Sequence, residues 1–322
     1  MRRTASPLSL LLLGAGVFLL VLAPLLVQYV QPRAKVTPVD VDTVTVFTGT
    51  GSYFDTGRIA TVTGRPLTIT RQVRGDVADS VRSGHAVWDV STSVDTDRTL
   101  PASATHDSLQ WTLERWVTDR RTNEPVHCCE ESPTFDGEAY LKFPFDVEKR
   151  SYRWWDGTLG STVTLRFAGT QKVQGYEGYR FTGRVEPVRT GTRLVPGRLV
   201  GQPARPQVLA EEWYANHGIE LVVDRRTGRI VNAAIGPRKV LRAPGSRKDA
   251  VVLLDSRRME FTPGTQRAQV ALAAADNRKL RLLGETVPLA AAVLGGLAAA
   301  AGLVLLVRGR PRRPDSAAAP TM

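Results

Sequence analysis

The sequence contains only two cysteines and four histidines, and it lacks the common catalytic motifs. No His-Glu-x-x-His zinc frame, no Gly-x-Ser-x-Gly nucleophile elbow and no phosphate-binding Gly-Lys-Ser/Thr loop occurs in its 322 residues. These absences argue against a zinc protease, a serine hydrolase and a P-loop nucleotide hydrolase. We therefore predict a protein that is not an enzyme and that uses no cofactor and no metal.

The two cysteines, Cys128 and Cys129, are adjacent. Zinc binding together with His127 is disfavoured, because metal ligands must converge and cysteine ligands usually have two or more residues between them. Three states stay open: a vicinal disulfide, two reduced thiols, or bonds to other molecules. We favour the vicinal disulfide, as a structural clip or a stiff apolar lip of a pocket, because thiols outside the cytoplasm tend to be oxidised.

Charged side chains are missing from two long apolar runs, Leu8–Val30 and Val287–Val307. At about 1.5 Å per helical residue, each run reaches the roughly 30 Å of a bilayer's hydrocarbon core. A cleavable signal peptide is the alternative for the first run, but the run exceeds the usual apolar core of about 7–15 residues and no clear cleavage site follows. We predict two transmembrane helices, the first an uncleaved anchor.

Positive charge beyond the two runs predicts their orientation. Arg2 and Arg3 precede the first run, and four arginines between residues 308 and 313 follow the second. Because such residues tend to remain in the cytoplasm, we expect both termini there and the main domain outside the plasma membrane. The expected order is a cytoplasmic N-terminus at 1–7, a span at 8–30, an extracytoplasmic domain at 31–286, a span at 287–307 and a basic cytoplasmic tail at 308–322.

Between the two runs the hydrophobic pattern has a period of two residues. Leu67, Ile69 and Val73 share one face of a strand, while Trp111 and Leu113 alternate with polar neighbours. These stretches are rich in valine, threonine and aromatics, and Gly, Pro or Asp marks their ends. We predict a mainly antiparallel β domain between the two terminal helices.

A short Asp-Arg-Arg-Thr sequence occurs twice, at residues 119–122 and 224–227. Gly228 follows the second copy and Asn123 the first, and these two residue types best tolerate the positive φ of a short bulged hairpin. We predict a hairpin at each copy. A paired-arginine anion site is the less favoured alternative.

Two segments depart from the strand pattern. Residues 186–207 contain four prolines and three glycines without periodicity, which predicts a loop. Residues 264–286 become rich in alanine and leucine at helical spacing, which predicts a helical stalk that leads to the second span. Pro288 is expected near the start of that span.

Aromatic residues concentrate in one stretch of the β domain, at Phe143, Phe145, Tyr152, Trp154 and Trp155. Core packing is the simplest role for most of them. Trp154 and Trp155 are neighbours, however, and cannot both face the same side of a strand. We therefore treat the five as candidate ligand-binding residues on a cavity or on a membrane-facing surface.

The stretch Leu141–Tyr152, followed by Trp155-Asp156, resembles the actinobacterial DUF3068 family, also known as the PorA-type porin family. The Asp224–Gly228 hairpin and the two terminal apolar runs resemble that family as well. The resemblance implies an integral membrane protein of the actinobacterial cell envelope, and the porin label implies passage of small solutes. It implies no catalytic residues.

The leading hypothesis is a non-enzymatic β domain that binds or conveys an apolar envelope ligand such as a lipid. Expected partners are membrane lipid, envelope lipids or other envelope proteins. The alternatives are an envelope assembly scaffold or a channel subunit, which must oligomerise because two helices cannot enclose a pore. Nucleic acid is not expected as a partner, because the arginines are scattered along the chain. The oligomeric state stays open.

Overall fold

The computed structural model describes residues 7–100 and 107–308. The chain forms two compact units: a helical unit of Met1–Lys35 and Asn277–Met322, and a β domain of Val36–Asp276. Arg2, Arg3 and the arginines at 310, 312 and 313 lie outside the described residues. The predicted orientation therefore stays a prediction.

Two helical runs, Pro7–Ala34 and Pro263–Arg308, are long and apolar enough to cross a membrane. The first contains helix α1 (Pro7–Leu25), a π-helical turn (Leu26–Val30) and helix α2 (Gln31–Ala34). The second contains helix α4 (Pro263–Arg281), a π-helical turn (Leu282–Thr286) and helix α5 (Val287–Arg308). The predicted pair of terminal helices is confirmed.

Small residues bring helices α1 and α5 together within the helical unit. A β-carbon at Gly302 would lie 2.8 Å from the amide nitrogen of Leu13, and one at Gly295 would lie 2.9 Å from the β-carbon of Leu19. Real β-carbons do not approach other atoms so closely. Close backbone approach through glycine is the usual way in which helices pack in lipid, where apolar burial gives little driving force.

The β domain is one antiparallel sheet, which confirms the predicted β architecture. The strand order is β4-β3-β2-β1-β10-β9-β8-β7-β6-β5, so the first and last strands of the sequence are neighbours at its centre. The strands are β1 (Asp42–Asp55), β2 (Ala60–Gly75), β3 (Ala86–Thr96), β4 (Gln110–Thr118), β5 (Tyr152–Asp156), β6 (Ser161–Val173), β7 (Tyr176–Pro196), β8 (Gln207–Val223), β9 (Ile230–Arg242) and β10 (Asp249–Phe261). Helix α3 (Val77–Ser83) connects β2 to β3.

The sheet curves as a half-barrel around a main core to which all ten strands contribute, beside two smaller clusters of buried apolar residues. Buried members, one from each strand in chain order, are Phe47, Leu67, Val90, Trp116, Tyr152, Leu165, Phe181, Leu221, Ala233 and Met259. The segment between β4 and β5 bonds to both of these edge strands. Arg115 and Ser132 exchange backbone hydrogen bonds at β4, while the amides of Glu138 and Ala139 donate to the carbonyl of Arg153 on β5.

The prediction of a loop at residues 186–207 is wrong. Strand β7 continues to Pro196 along β8, and a 3₁₀ turn covers only Gly197–Val200. Shifts of the β7–β8 register on both sides of Pro187 place this proline within an irregular part of the strand, where a missing amide donor is tolerated. The long partner strand, which composition alone does not reveal, supplies the hydrogen bonds.

Both predicted hairpins are confirmed. Asn123 has φ +66° and Gly228 has φ +73°. In each hairpin the aspartate amide donates to the carbonyl five residues later, and the amide of Asn123 or Gly228 donates back to the aspartate carbonyl. The aspartate side chain caps each turn by accepting backbone N–H bonds.

Candidate functional site

Four of the five predicted aromatic residues are brought together in the core. Phe143 is 0% exposed, and its ring centroid lies 5.1 Å from that of Tyr152. Trp154 and Trp155 are both buried, because the segment before β5 contacts each of them. The indole of Trp155 packs against Phe135, with ring centroids 5.4 Å apart, and Nε1 of Trp154 donates to the carbonyl of Tyr140. Packing accounts for these positions, and a contact between these residues and a ligand stays a prediction.

Phe145 lies apart from that cluster and is half-buried. Its ring centroid is 4.2 Å from the ammonium nitrogen of Lys142, a cation–π contact. The structure therefore separates Phe145 from the other four predicted residues and pairs it with a cation that the sequence gave no reason to single out.

A row of polar side chains faces the interior across strands β1 to β4. Phe47, Ile69 and Val94 are buried register partners, and Gln110 continues their row on β4. Because strand side chains alternate, the row two residues along also faces inward. That row consists of Thr45, Arg71, Thr92 and Thr112.

Six half-buried members of this region form what we call the inner polar cluster: Arg71, Thr92, Gln110, Thr112, Glu114 and Lys239. Arg71 Nε donates to Thr92 Oγ1 at 3.2 Å. Lys239 on β9 donates through Nζ to Gln110 Oε1 at 2.6 Å, although β9 and β4 are separated by four strands in the sheet. This contact spans the interior of the half-barrel.

Burial shifts the acid–base properties of groups around the cluster. Loss of hydration lowers the pKa of Lys239, because it disfavours the charged ammonium. Burial also raises the pKa of Tyr140, whose hydroxyl donates to Glu114. Tyr214 has a raised pKa for the same reason and donates to Asp156 Oδ2 at 2.7 Å. The tyrosines therefore stay neutral donors, and the region offers cations, a carboxylate, an amide and hydroxyls to a polar ligand.

The outer face of β4 carries two apolar side chains in the first half of the strand. Trp111 is 56% exposed and Leu113 is 62% exposed, and Val44 lies in the outward row of Leu113. The indole Nε1 of Trp111 donates to Ser91 Oγ at 3.1 Å. The sequence predicted the period of two, but it did not predict that Trp111 and Leu113 face outward. Which face of a strand points inward depends on the neighbouring strands.

Lys142 lies in the hairpin clasp, which we define as residues 119–124, 138–147 and 224–229. Asn123 Nδ2 donates to the carbonyl of Lys142, and the Phe143 amide donates to the carbonyl of Gly228. Lys142 is 8% exposed, and its Nζ has no hydrogen-bond partner among the described residues. Burial, with a smaller effect from the nearby charge of Arg229, lowers the pKa of Lys142 to about 7.

The structure joins Cys128 to Cys129 by a disulfide. The carbonyl of Cys129 accepts a hydrogen bond of 2.8 Å from Arg115 Nε. The guanidinium of Arg115 also forms ion pairs with Asp76, Asp79 and Asp89. The pair thus lies beside an ion-pair cluster on β3, β4 and α3, on the outer face of the sheet. Among the described residues, no group of three or more His, Cys, Asp or Glu could hold a metal.

Thiol labelling tests this disulfide directly. We expect a maleimide reagent to label the denatured, unreduced protein at neither cysteine, and to label both after reduction. The Cys128→Ser variant is the control, because its remaining Cys129 thiol must label without reduction. Labelling of the unreduced wild-type chain at both positions would show that the two cysteines are free thiols.

Comparison with known proteins adds one match. The family model described as Porin PorA matches residues 8–304, which include the whole β domain and most of both terminal helices. No curated protein matches the chain in sequence. Since the match covers most of the chain, the protein belongs to the PorA porin family.

Proposed function

We propose that this chain is a non-enzymatic binding protein of the cell envelope, which holds an amphipathic, lipid-type ligand in its β domain. The polar group of the ligand binds the inner polar cluster, and its apolar part lies against the aromatic core. The observation that supports this proposal is the inward row of β1 to β4. Its polar side chains point into the half-barrel and stay only half-buried, whereas interior polar groups in a closed core are normally buried and fully bonded.

Tyr140 connects the two parts of the proposed site. Its hydroxyl bonds to Glu114 of the polar cluster, and the guanidinium of Arg71 lies 5.4 Å from its ring centroid. The same ring lies 6.5 Å from Trp116 and 6.4 Å from Trp154, measured between centroids. An amphipathic ligand beside Tyr140 meets polar groups on one side and aromatic rings on the other, as binding sites commonly provide.

The two apolar helices favour a ligand that comes from a bilayer. We place them across the plasma membrane, with both termini in the cytoplasm and the β domain outside. Tethering at both ends keeps the domain near lipid and raises the effective concentration of a lipid ligand at the site.

Native mass spectrometry of the gently extracted full chain tests the proposal. We expect the wild-type protein to retain a lipid-type ligand and the Arg71→Leu variant to retain about tenfold less, because a lost bond to a charged group costs about 1.5–3 kcal/mol. Arg74→Leu is the matched control, since Arg74 lies on the same strand, three residues along, on the outer face. Wild-type protein without bound ligand, or equal retention by both variants, would contradict the proposal.

A channel subunit is the second candidate, and two observations favour it. The family is described as a porin family, and residues 110–114 of β4 have their apolar side chains outside and their polar side chains inside, which is the pattern of a membrane-inserted strand. Conductance steps from the purified full chain in planar bilayers would support this candidate. A silent chain that retains lipid would favour the binding protein.

A further inference from the structure

Five basic residues surround one end of the helical unit. They stand at the end of the first helical run and before the second π-helical turn, and we call them the basic collar: Arg33, Lys35, Arg278, Lys279 and Arg281. Four of them, all except Lys35, are exposed. None of these five residues belongs to the binding site proposed above, because that site consists of residues of the β domain.

The two helical runs contact each other at the edge of the collar that is nearer to the apolar runs. A β-carbon at Gly284 would collide with the side chain of Gln31, so the two residues lie at the same level. Because the runs are antiparallel, Arg33 lies about 3 Å beyond that level and Arg281 about 4.5 Å beyond it, on the same side. The cations of both helices therefore gather within about two helical turns.

The lengths of the uncharged runs place the collar where a helix pair that crosses a bilayer meets the lipid headgroups. The uncharged run Leu8–Val30 ends one residue before Gln31, and the second uncharged run starts at Val287, three residues after Gly284. About 40 Å of helix separates Arg281 from Arg308, which matches a bilayer of roughly 40–45 Å with its headgroups. The ring of Tyr29 lies below Arg33, with 3.5 Å between the ring centroid and the guanidinium carbon. Tyrosine is enriched at this boundary.

Among the described residues, acidic side chains leave most of the charge on Arg33, Arg278, Lys279 and Arg281. Glu285 pairs with Arg281 at 3.5 Å. Asp276, which is the last residue of the β domain, pairs with Arg229 of that domain at 3.2 Å. The collar thus keeps a net positive charge that attracts phosphate groups, as clusters of Lys and Arg beside a transmembrane helix do.

We infer that the basic collar binds the phosphate headgroups of anionic phospholipids in the bilayer leaflet that surrounds this end of the helix pair. The contacts are ion pairs from Arg and Lys to phosphate oxygens at the membrane surface, and they hold the helix pair at a fixed depth. The inference requires only that the helices cross a bilayer, so it does not depend on their orientation.

Lipid selection by the full chain tests the inference. The protein is reconstituted in nanodiscs with equal amounts of phosphatidylglycerol and phosphatidylcholine and then released into mild detergent, and the bound phospholipids are counted by native mass spectrometry. We expect phosphatidylglycerol to be enriched on the wild-type chain. The double variant Arg33→Gln/Arg281→Gln should lower that enrichment about fivefold or more, and Arg278→Gln/Lys279→Gln should lower it similarly.

Two further variants decide between binding by charge and a general loss of structure. Arg184→Gln/Arg205→Gln removes two exposed arginines of the β domain and should leave the enrichment unchanged. Arg33→Lys/Arg281→Lys keeps both charges and should retain the enrichment, and high salt should abolish it. Unchanged enrichment in the glutamine variants, or an equal loss in the β-domain control, would overturn the inference. Neither result bears on retention of a ligand at the inner polar cluster.

Discussion

The Lys142→Met variant is expected to unfold with a free energy roughly 4 kcal/mol higher than that of the wild-type chain near neutral pH. Lys142 is buried with no hydrogen-bond partner for its Nζ among the described residues, and burial lowers its pKa from 10.5 to about 7. Each unit of such a shift corresponds to about 1.4 kcal/mol. Methionine has a similar length and can occupy the space over Phe145 without an ammonium group.

The difference in unfolding free energy between Lys142→Met and wild type should change with pH, in a direction that follows from the lowered pKa of Lys142. Between about pH 7 and 10.5 the unfolded chain binds the lysine proton more tightly than the folded chain does. The Lys142 contribution to wild-type stability therefore becomes more favourable as the pH rises through this window. The penalty is complete below about pH 7 and absent above about pH 10.5, so the advantage of methionine should shrink across the same window.

Denaturant unfolding of the full chain in detergent, followed by tryptophan fluorescence at several pH values, measures this difference. Lys172→Met is the control: Lys172 is exposed on β6, and its replacement should change stability little at any pH. A Lys142→Met variant that is less stable than wild type at neutral pH would mean that the ammonium group has a stabilising partner.

The Gly228→Ala variant is expected to lose about 3 kcal/mol or more of unfolding free energy. Gly228 has φ +73°, and a β-carbon there would collide with the carbonyl oxygens of Phe143 and Pro144. The left-handed conformation alone costs about 1–2 kcal/mol for a residue with a β-carbon. The collision adds to that cost, because these carbonyls belong to backbone that cannot move without breaking the clasp.

Gly245→Ala separates the two effects. Gly245 has the same φ of +73°, and a β-carbon there would meet no atom within 4 Å. This control should lose only the conformational cost of about 1–2 kcal/mol, as measured by denaturant unfolding under identical conditions. Equal losses in both variants would contradict the close approach between the hairpin and the Phe-Pro-Phe segment.

The motif at residues 143–145 therefore has a structural role that its aromatic composition did not indicate. The amide of Phe143 bonds to Gly228, and the amide of Val147 bonds to the carbonyl of Arg225. The second Asp-Arg-Arg-Thr hairpin and the Phe-Pro-Phe segment, which are far apart in the chain, are thus one packed unit. The sequence showed each part, but no local pattern connected them.

Local physics explains what the sequence by itself determined. The two uncharged runs require helices, because only a helix satisfies its backbone hydrogen bonds within one apolar segment. The period of two required strands, and the Asp–Gly and Asp–Asn spacings required turns with a positive φ at Gly228 and Asn123. Each of these features depends on interactions between residues near one another in the chain.

Tertiary structure alone decided the rest. Strand β7 extends to Pro196 because β8 supplies its partner groups, and nothing within residues 186–196 indicates that partner. The inward direction of Arg71 and Thr112 depends on the register of four strands, and a shift of one residue would reverse every side chain. The burial of Lys142 depends on a segment that bonds to two hairpins about a hundred residues apart in sequence. Such long-range pairings set the candidate site, and for that reason composition and periodicity could not locate it.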